Sequence, residues 1–344
     1  MTASTKLRWA LAGADDNPRL FDVDGLVDRH VGTGAFAGLE FLHVNARTII
    51  NEVPQASRLG FRFTVNAYRG CSHACAYCFA RPSHAYLGLG IAEDFDRRIV
   101  VKVNAVECLR SELRSRRWQG DHIAMGTNTD PYQRAEGRYH LTRGIIEVLS
   151  QHRNPFSIVT KSTLVLRDLD LLVEAAKRTE VRLHLSVGTL DRSVWRLTEP
   201  GTPPPDKRLA AVRRLNDAGV PCGVLIAPIL PGLSDADAQV RELAEACAAA
   251  GAASVTVVPL HLRAGVREHF LAFLRRERPD LVALYEERFA RGAYQPASEQ
   301  RRLSALVAAR LPSPAARRRA PVQRAGGDER TGPCAGAHGP GARS

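Results

Sequence analysis

From about residue 60 onward, short apolar runs alternate with longer amphipathic stretches. The runs are "RFTVNA" (62–67), "HIAMG" (122–126), "FSIVT" (156–160), "RLHLSVG" (182–188), "CGVLIA" (222–227) and "SVTVVP" (254–259). Their length and apolar character fit strands buried on both faces. Helical periodicity fills the gaps, near 104–117, 140–152, 167–178, 206–218 and 235–249. This alternation predicts parallel strands joined by crossover helices. Six units fall short of the eight of a closed barrel, so the pattern admits either a partial (β/α)6 barrel or a doubly wound sheet. In both architectures sites gather at the carboxyl ends of the strands. There the sequence places polar or Gly/Pro-rich segments: "TNTDPYQ", "KST", "TLD" and "PILPGLSD". The first strand runs into a cysteine loop at that same end.

Beyond residue 260 the pattern predicts two helices broken around Pro279 and one more over 298–311. Residues 312–344 are rich in Pro, Gly, Ala and Arg and nearly free of large apolar side chains, which predicts a disordered tail. Cys334 and His338 lie in it and are read as having no metal role. The organisation expected is an N-terminal extension (1–50), a core domain (51–265), a helical extension (266–311) and the basic tail (312–344).

Composition narrows the class. With 44% hydrophobic and 24% charged residues the chain is an ordinary globular sequence. No apolar run approaches a membrane span. The N-terminus "MTASTKLRWALAGADDNPRL" lacks the apolar core of a signal peptide and reads as a cytoplasmic start. The formal charge of +12 favours a polyanionic partner such as nucleic acid, although arginine is frequent throughout. The tail alone carries six arginines against Asp328 and Glu329.

Of seven cysteines, three sit together in "YRGCSHACAYCFARP" as Cys71, Cys75 and Cys78, a C-x3-C-x2-C spacing. A disulfide framework does not suit a chain without a secretory signal. Thiolates are soft ligands for zinc or an iron–sulfur cluster. A structural zinc site would need a fourth ligand such as His73 or His84, whereas a [4Fe–4S] cube held by three thiolates leaves one iron open.

The spacing, with an aromatic residue before the last cysteine, resembles the radical S-adenosylmethionine (SAM) enzymes. The segments "NAYRGCSHACAYCFARPSHAYLGLG", "VVKVNA", "GTNTDPYQRAE", "LTEPGTPPPDKRLAAVRRLNDAGV" and "APILPGLSD" further resemble the spore photoproduct lyase-like branch, often labelled DNA repair photolyases. The resemblance spans about residues 45–260. It implies a partial (β/α)6 TIM-like barrel, a [4Fe–4S] cluster on Cys71, Cys75 and Cys78, and bound SAM. It also implies reductive SAM cleavage to a 5′-deoxyadenosyl radical, with electrons from a flavodoxin- or ferredoxin-type donor. Nucleic acid is one candidate substrate; a protein or small metabolite is the rival. A zinc-containing nucleic-acid-binding module is the non-enzymatic alternative.

The same resemblance assigns cofactor contacts to Tyr77 and Phe79, which flank the last cysteine, and to Thr129 and Asp130 after the second strand. It extends to Lys161 after the third strand, Ser186 on the fourth, and Arg208 with Glu199 near the following helix. Each has a plainer reading: loop packing for Tyr77 and Phe79, a turn for Asp130–Pro131, a solvated cation for Lys161, and capping or surface pairing for Glu199 and Arg208. His73 is read as supporting the loop or exposed. The branch implies a cysteine after the second strand as hydrogen donor, but residues 122–140 contain none. Tyr68 or Tyr132 are alternative donors. Cys108, Cys222 and Cys247 read as core fillers. No second cysteine cluster exists, so auxiliary-cluster chemistry is not expected.

Overall fold

The computed structural model describes residues 9–10, 26–54 and 60–309, so the tail assigned to 312–344 lies outside the described residues. The strands are β1 (Trp9–Ala10), β2 (Leu26–Val31), β3 (Glu40–Ala46), β4 (Ile50–Glu52), β5 (Phe63–Val65) and β6 (Tyr68–Arg69). They continue with β7 (Arg98–Lys102), β8 (Ile123–Met125), β9 (Phe156–Thr160), β10 (Val181–Ser186), β11 (Cys222–Ile229) and β12 (Val255–Pro259). The α-helices are α1 (Glu93–Arg97), α2 (Ala105–Leu113), α3 (Glu136–Tyr139), α4 (Leu141–Gln151), α5 (Leu169–Arg178) and α6 (Arg192–Thr198). They are followed by α7 (Pro205–Asp217), α8 (Asp237–Ala249), α9 (Val266–Glu277), α10 (Val282–Arg288) and α11 (Ala297–Ala308).

All six apolar runs become parallel strands of one sheet, ordered β5-β8-β9-β10-β11-β12, with β4 antiparallel to β5 at one edge. The parallel strands follow chain order without the reversal of a doubly wound sheet, and the two edge strands do not pair with each other, so the sheet is a partial barrel. Its core is built from Val65, Ile123, Met125, Ile158, Leu183, Leu185, Val224 and Ile226, all nearly inaccessible to solvent. Cys222 and Cys247 are fully buried among these apolar groups, as filler residues should be. Cys108 is only partly buried and donates its thiol to the Ala46 carbonyl at 3.1 Å.

A second, smaller sheet was not evident from the sequence pattern. In it β3 pairs parallel with β7 and antiparallel with β1 and β2, while β7 pairs antiparallel with β6. Strand β6 immediately precedes the cysteine loop, so this sheet fixes where the loop begins. Helices α9 and α10, joined by a 3-10 turn at Pro279–Leu281, form a separate apolar layer with Phe270, Leu274, Tyr285 and Phe289. Cys75 and Tyr77 belong to that same layer, so the C-terminal helices pack onto the cysteine loop. Helix α11 packs on β12 and α8. No helix among the described residues is long and apolar enough to cross a membrane.

Candidate functional site

The cysteine loop is fastened on every side. Gly70 opens it at φ +77, and a Cβ there would lie 2.9 Å from the Phe95 and Arg98 carbonyl oxygens. Only glycine suits that position. The Cys71 amide donates to the Phe95 carbonyl at 2.8 Å, the Ser72 amide to Gln133 Oε1 at 3.0 Å, and the Ala76 amide to the Thr198 carbonyl at 3.0 Å. The His73 carbonyl accepts from the Gly201 amide at 3.1 Å. A Cβ on Gly201 would stand 2.3 Å from the Ser72 oxygen, so the two loops touch backbone to backbone. Two tight turns, Ala74 N to Cys71 O and Cys78 N to Cys75 O, both 3.2 Å, curl the loop on itself.

The three thiols are free. Cys71 and Cys75 are buried and Cys78 is partly so. Burial pushes all three thiols up, Cys75 to about 12. Neighbouring thiols add to the rise at Cys71 and Cys75, while Lys161 opposes it at Cys75. A set of thiolates in such a place requires cationic compensation, which a metal cluster supplies.

Two side chains that sequence reasoning did not single out do much of the fastening. Arg81, 1% exposed, donates to the Cys75 carbonyl from two nitrogens at 2.9 and 3.2 Å, reaches the Ile91 and Ala92 carbonyls, and pairs with Asp96. Gln133 donates to the Gly70 carbonyl and to Thr129 Oγ1, both at 2.9 Å. Both lie inside quoted motifs, "CFARP" and "DPYQ", but only their burial distinguishes them from surface polar residues.

Thr129 and Asp130 are engaged within the protein. The Thr129 hydroxyl donates to the Gly70 carbonyl at 2.6 Å. Asp130 Oδ1 accepts from the Tyr132 amide (2.9 Å) and the Thr160 hydroxyl (2.6 Å), and Oδ2 from the Lys161 amide (2.8 Å). His73 Nδ1 lies 3.3 Å from Oδ2, and both side chains are buried. His73 is therefore a support for the loop rather than an exposed group. Burial by itself would raise the Asp130 carboxyl, but His73 and the Thr160 and Lys161 hydrogen bonds outweigh it and lower it to about 2. A depressed acid contributes stability above its unfolded value of 3.8, lost as the pH falls through about 2. The shift corresponds to about 2 kcal/mol. Asp130→Asn is expected to remove that amount at pH 7, and the deficit relative to the parent chain should shrink as the pH approaches 2, read by urea midpoints across pH.

A second buried group faces the cysteines. Tyr77 donates its hydroxyl to Glu199 Oε1. Glu199 Oε2 pairs with Arg208 at 2.5 Å, with both side chains almost fully buried. Arg208 also donates to the Ser186 carbonyl (2.9 Å), the Pro203 carbonyl (2.7 Å) and the Thr202 hydroxyl. The surface-pair reading of Glu199 and Arg208 does not hold in this fold. Burial raises the Glu199 carboxyl, but Arg208, Lys161 and the Tyr77 hydrogen bond together hold it below its ordinary value. The Lys161 ammonium lies 5.7 Å from the Tyr77 ring centre and its charge reaches Cys75 and Cys78, so it is not merely a solvated cation. The Ser186 hydroxyl donates to the Ala227 carbonyl at 2.7 Å. Tyr77, Lys161, Ser186 and Arg208 are thus brought to one face of the barrel mouth. Tyr68 is buried with its hydroxyl donating to Glu136 at 2.5 Å, whereas Tyr132, also buried, lines a cavity together with His73, Ser162 and Gly201.

Phe79 is the exception among the named residues. It is half-exposed at the rim, its ring centre 5.9 Å from that of His261, which stacks on Tyr294 at 5.6 Å. Arg263 donates to the Tyr294 hydroxyl at 3.0 Å.

Residues 65–246 match the model of the radical SAM superfamily. An uncharacterized protein of Mycobacterium tuberculosis is 48% identical over 284 residues, 83% of each chain. An uncharacterized protein of Methanocaldococcus jannaschii is 30% identical over 206 residues, 59% of this chain and 73% of that one. Among solved structures, spore photoproduct lyase complexed with dinucleoside spore photoproduct shares the fold, with TM-score 0.56, 20% identity and 78% coverage of both chains.

Proposed function

Because the chain belongs to the radical SAM superfamily and is an enzyme of that class, we propose that Cys71, Cys75 and Cys78 hold a [4Fe–4S] cluster beside a SAM site at the barrel mouth. The observation that carries this reading is the set of three free thiols on one loop, Cys71 and Cys75 buried and Cys78 partly so, whose backbone is held by Arg81, Gln133 and Gly201. When bound, the cluster and SAM supply one-electron reductive cleavage of the sulfonium to a 5′-deoxyadenosyl radical that abstracts hydrogen from substrate.

The protein's own residues provide position, charge and shielding. Lys161 offers a cation beside Tyr77 and Cys75 for the SAM carboxylate. Ser186, whose hydroxyl is bonded to the Ala227 carbonyl, offers a further hydrogen-bonding group for SAM, and the backbone of the 225–232 segment faces its adenine. The Glu199–Arg208 pair fixes Tyr77 through its hydroxyl. Asp130 has its oxygens filled by internal donors and holds His73 and the start of the Lys161 segment. The α9–α10 layer packs against the Cys75–Tyr77 part of the loop and shields it from water.

The substrate proposed is nucleic acid. Three observations support it: the +12 formal charge, the half-exposed Phe79–His261–Tyr294 row beside the loop, and fold likeness to a lyase whose structure holds a dinucleoside lesion. Exposed rings accept unstacked bases, each worth about 1–3 kcal/mol. Phe79→Ala and Tyr294→Ala are each expected to weaken single-stranded DNA binding by about 5- to 150-fold on that scale. Fluorescence anisotropy at fixed salt reads the change; unaltered affinity in both variants removes the nucleic-acid reading. The reaction class is tested by anaerobic reconstitution followed by dithionite and SAM. Release of 5′-deoxyadenosine is expected, and a chain that binds zinc and releases none overturns the cluster assignment. Deuterium transfer from a labelled substrate into 5′-deoxyadenosine then identifies the hydrogen abstracted.

A further inference from the structure

The small sheet carries a cluster that the barrel chemistry does not use. On β2, Asp28 and His30 are two residues apart and share a face. On β3, His43 stands directly across from Asp28 in the antiparallel register. His30 Nε2 lies 2.8 Å from Asp28 Oδ2, and the His30 and His43 rings are 4.5 Å apart centre to centre. One donor atom from each of the three side chains falls within 4.8 Å of the other two. We infer that Asp28, His30 and His43 form a divalent transition-metal site, separate from the cysteine loop, that clips β2 to β3.

The donor set is two imidazoles and one carboxylate, the kind of mixed nitrogen–oxygen set that takes zinc and its first-row neighbours. Two like-charged imidazolium rings at this spacing would repel, whereas two neutral rings sharing a cation would not. His43 is partly buried, and burial and His30 hold it below its ordinary value while Asp28 opposes this. The Asp28 carboxylate accepts from the Arg29 amide at 2.7 Å. Arg29 itself pairs with Glu40, which turns that cation toward another partner.

The site also has an outer partner. Tyr139 Oη lies 2.7 Å from His43 Nε2, leaving the second ring nitrogen as a donor. A group holding the far nitrogen of a ligating histidine fixes ring orientation. Tyr139 is in turn packed edge-on against Phe41, the residue opposite His30 in the ladder. Three protein ligands on a partly exposed sheet face leave coordination positions open for water or a small ligand.

The probe is Zn2+, titrated calorimetrically into the full chain with its cysteines loaded by cluster, and into the full chain carrying Cys71→Ala, Cys75→Ala and Cys78→Ala together. One Zn2+ per chain is expected in both, and a rise in the thermal midpoint should accompany it. His30→Ala or His43→Ala should weaken this binding at least 100-fold, and Tyr139→Phe about tenfold. In Co2+-loaded protein the d–d bands should appear without a sulfur charge-transfer band. Absence of Zn2+ binding in the triple cysteine variant, or binding that survives His30→Ala and His43→Ala, overturns the assignment. If the triple cysteine variant does not fold, the cluster-loaded chain with and without His43→Ala gives the same decision. Loss of 5′-deoxyadenosine production with zinc binding intact would instead count against the barrel-mouth reading alone.

Discussion

Replacing Cys71, Cys75 or Cys78 by alanine is expected to drop iron from about four atoms per reconstituted chain toward zero and to abolish 5′-deoxyadenosine formation. The magnitude follows from how the loop is built. Cys71 and Cys75 are buried, and no other free cysteine among the described residues belongs to that loop. Cys108 is tied to Ala46 and Asn104, and Cys222 and Cys247 are sealed in the barrel core, so none can substitute. The fold should survive the change, because the loop backbone is held by Phe95, Gln133, Thr198, Gly201 and Arg81 rather than by the thiols. Cys108→Ala is the matched control and should retain full iron. Iron and sulfide assays, together with the visible spectrum, decide the outcome. Iron retained in a Cys75→Ala chain would remove Cys75 from the ligand set.

Arg208→Ala is expected to destabilise the chain by about 3–5 kcal/mol, the usual consequence of leaving one member of a buried ion pair alone. Arg208 is fully buried and donates to Glu199, Thr202 and the Ser186 and Pro203 carbonyls. Its loss strands an ionised carboxylate and two carbonyls at once. Glu199→Gln combined with Arg208→Met should recover part of the stability, since residues in contact are not additive. The pH dependence carries a sign. Glu199 is a depressed acid, so its contribution is complete above its unfolded value of 4.5 and is lost as the pH falls through its lower native value. Urea midpoints of the cluster-free chain at pH 7 and at pH 4 give both tests. Equal midpoints for the parent and Arg208→Ala chains would show that the pair contributes nothing. Tyr77 should also lose its anchor in these variants, which a lower affinity for SAM would report.

Much of the barrel was legible because its determinants are local in sequence. Six apolar runs and five amphipathic stretches correspond to β5, β8 to β12 and α2, α4, α5, α7 and α8 within a few residues. A strand buried on both faces needs a short apolar run, and a crossover helix needs one apolar face, whatever lies elsewhere in the chain. The small sheet was not legible. It joins β3 to β7 across more than fifty residues, and β6 has only two residues. Nothing in "EFLHVNA" or "YR" announces partners so distant.

The site divides in the same way. The cysteine spacing, the place of the loop after the first barrel strand and the polar segments at the strand ends are properties of the sequence, because ligand spacing and strand polarity are written locally. Which polar side chains face the cysteines was decided by the tertiary structure alone. Asp130 and Thr129 became internal supports, Glu199 and Arg208 a buried pair, and Arg81 and Gln133 the fasteners of the loop. The cluster of Asp28, His30 and His43 likewise exists only once β2 and β3 pair. The physical reason is burial: a polar side chain removed from water must find a partner, and that partner is set by which segments the fold packs together.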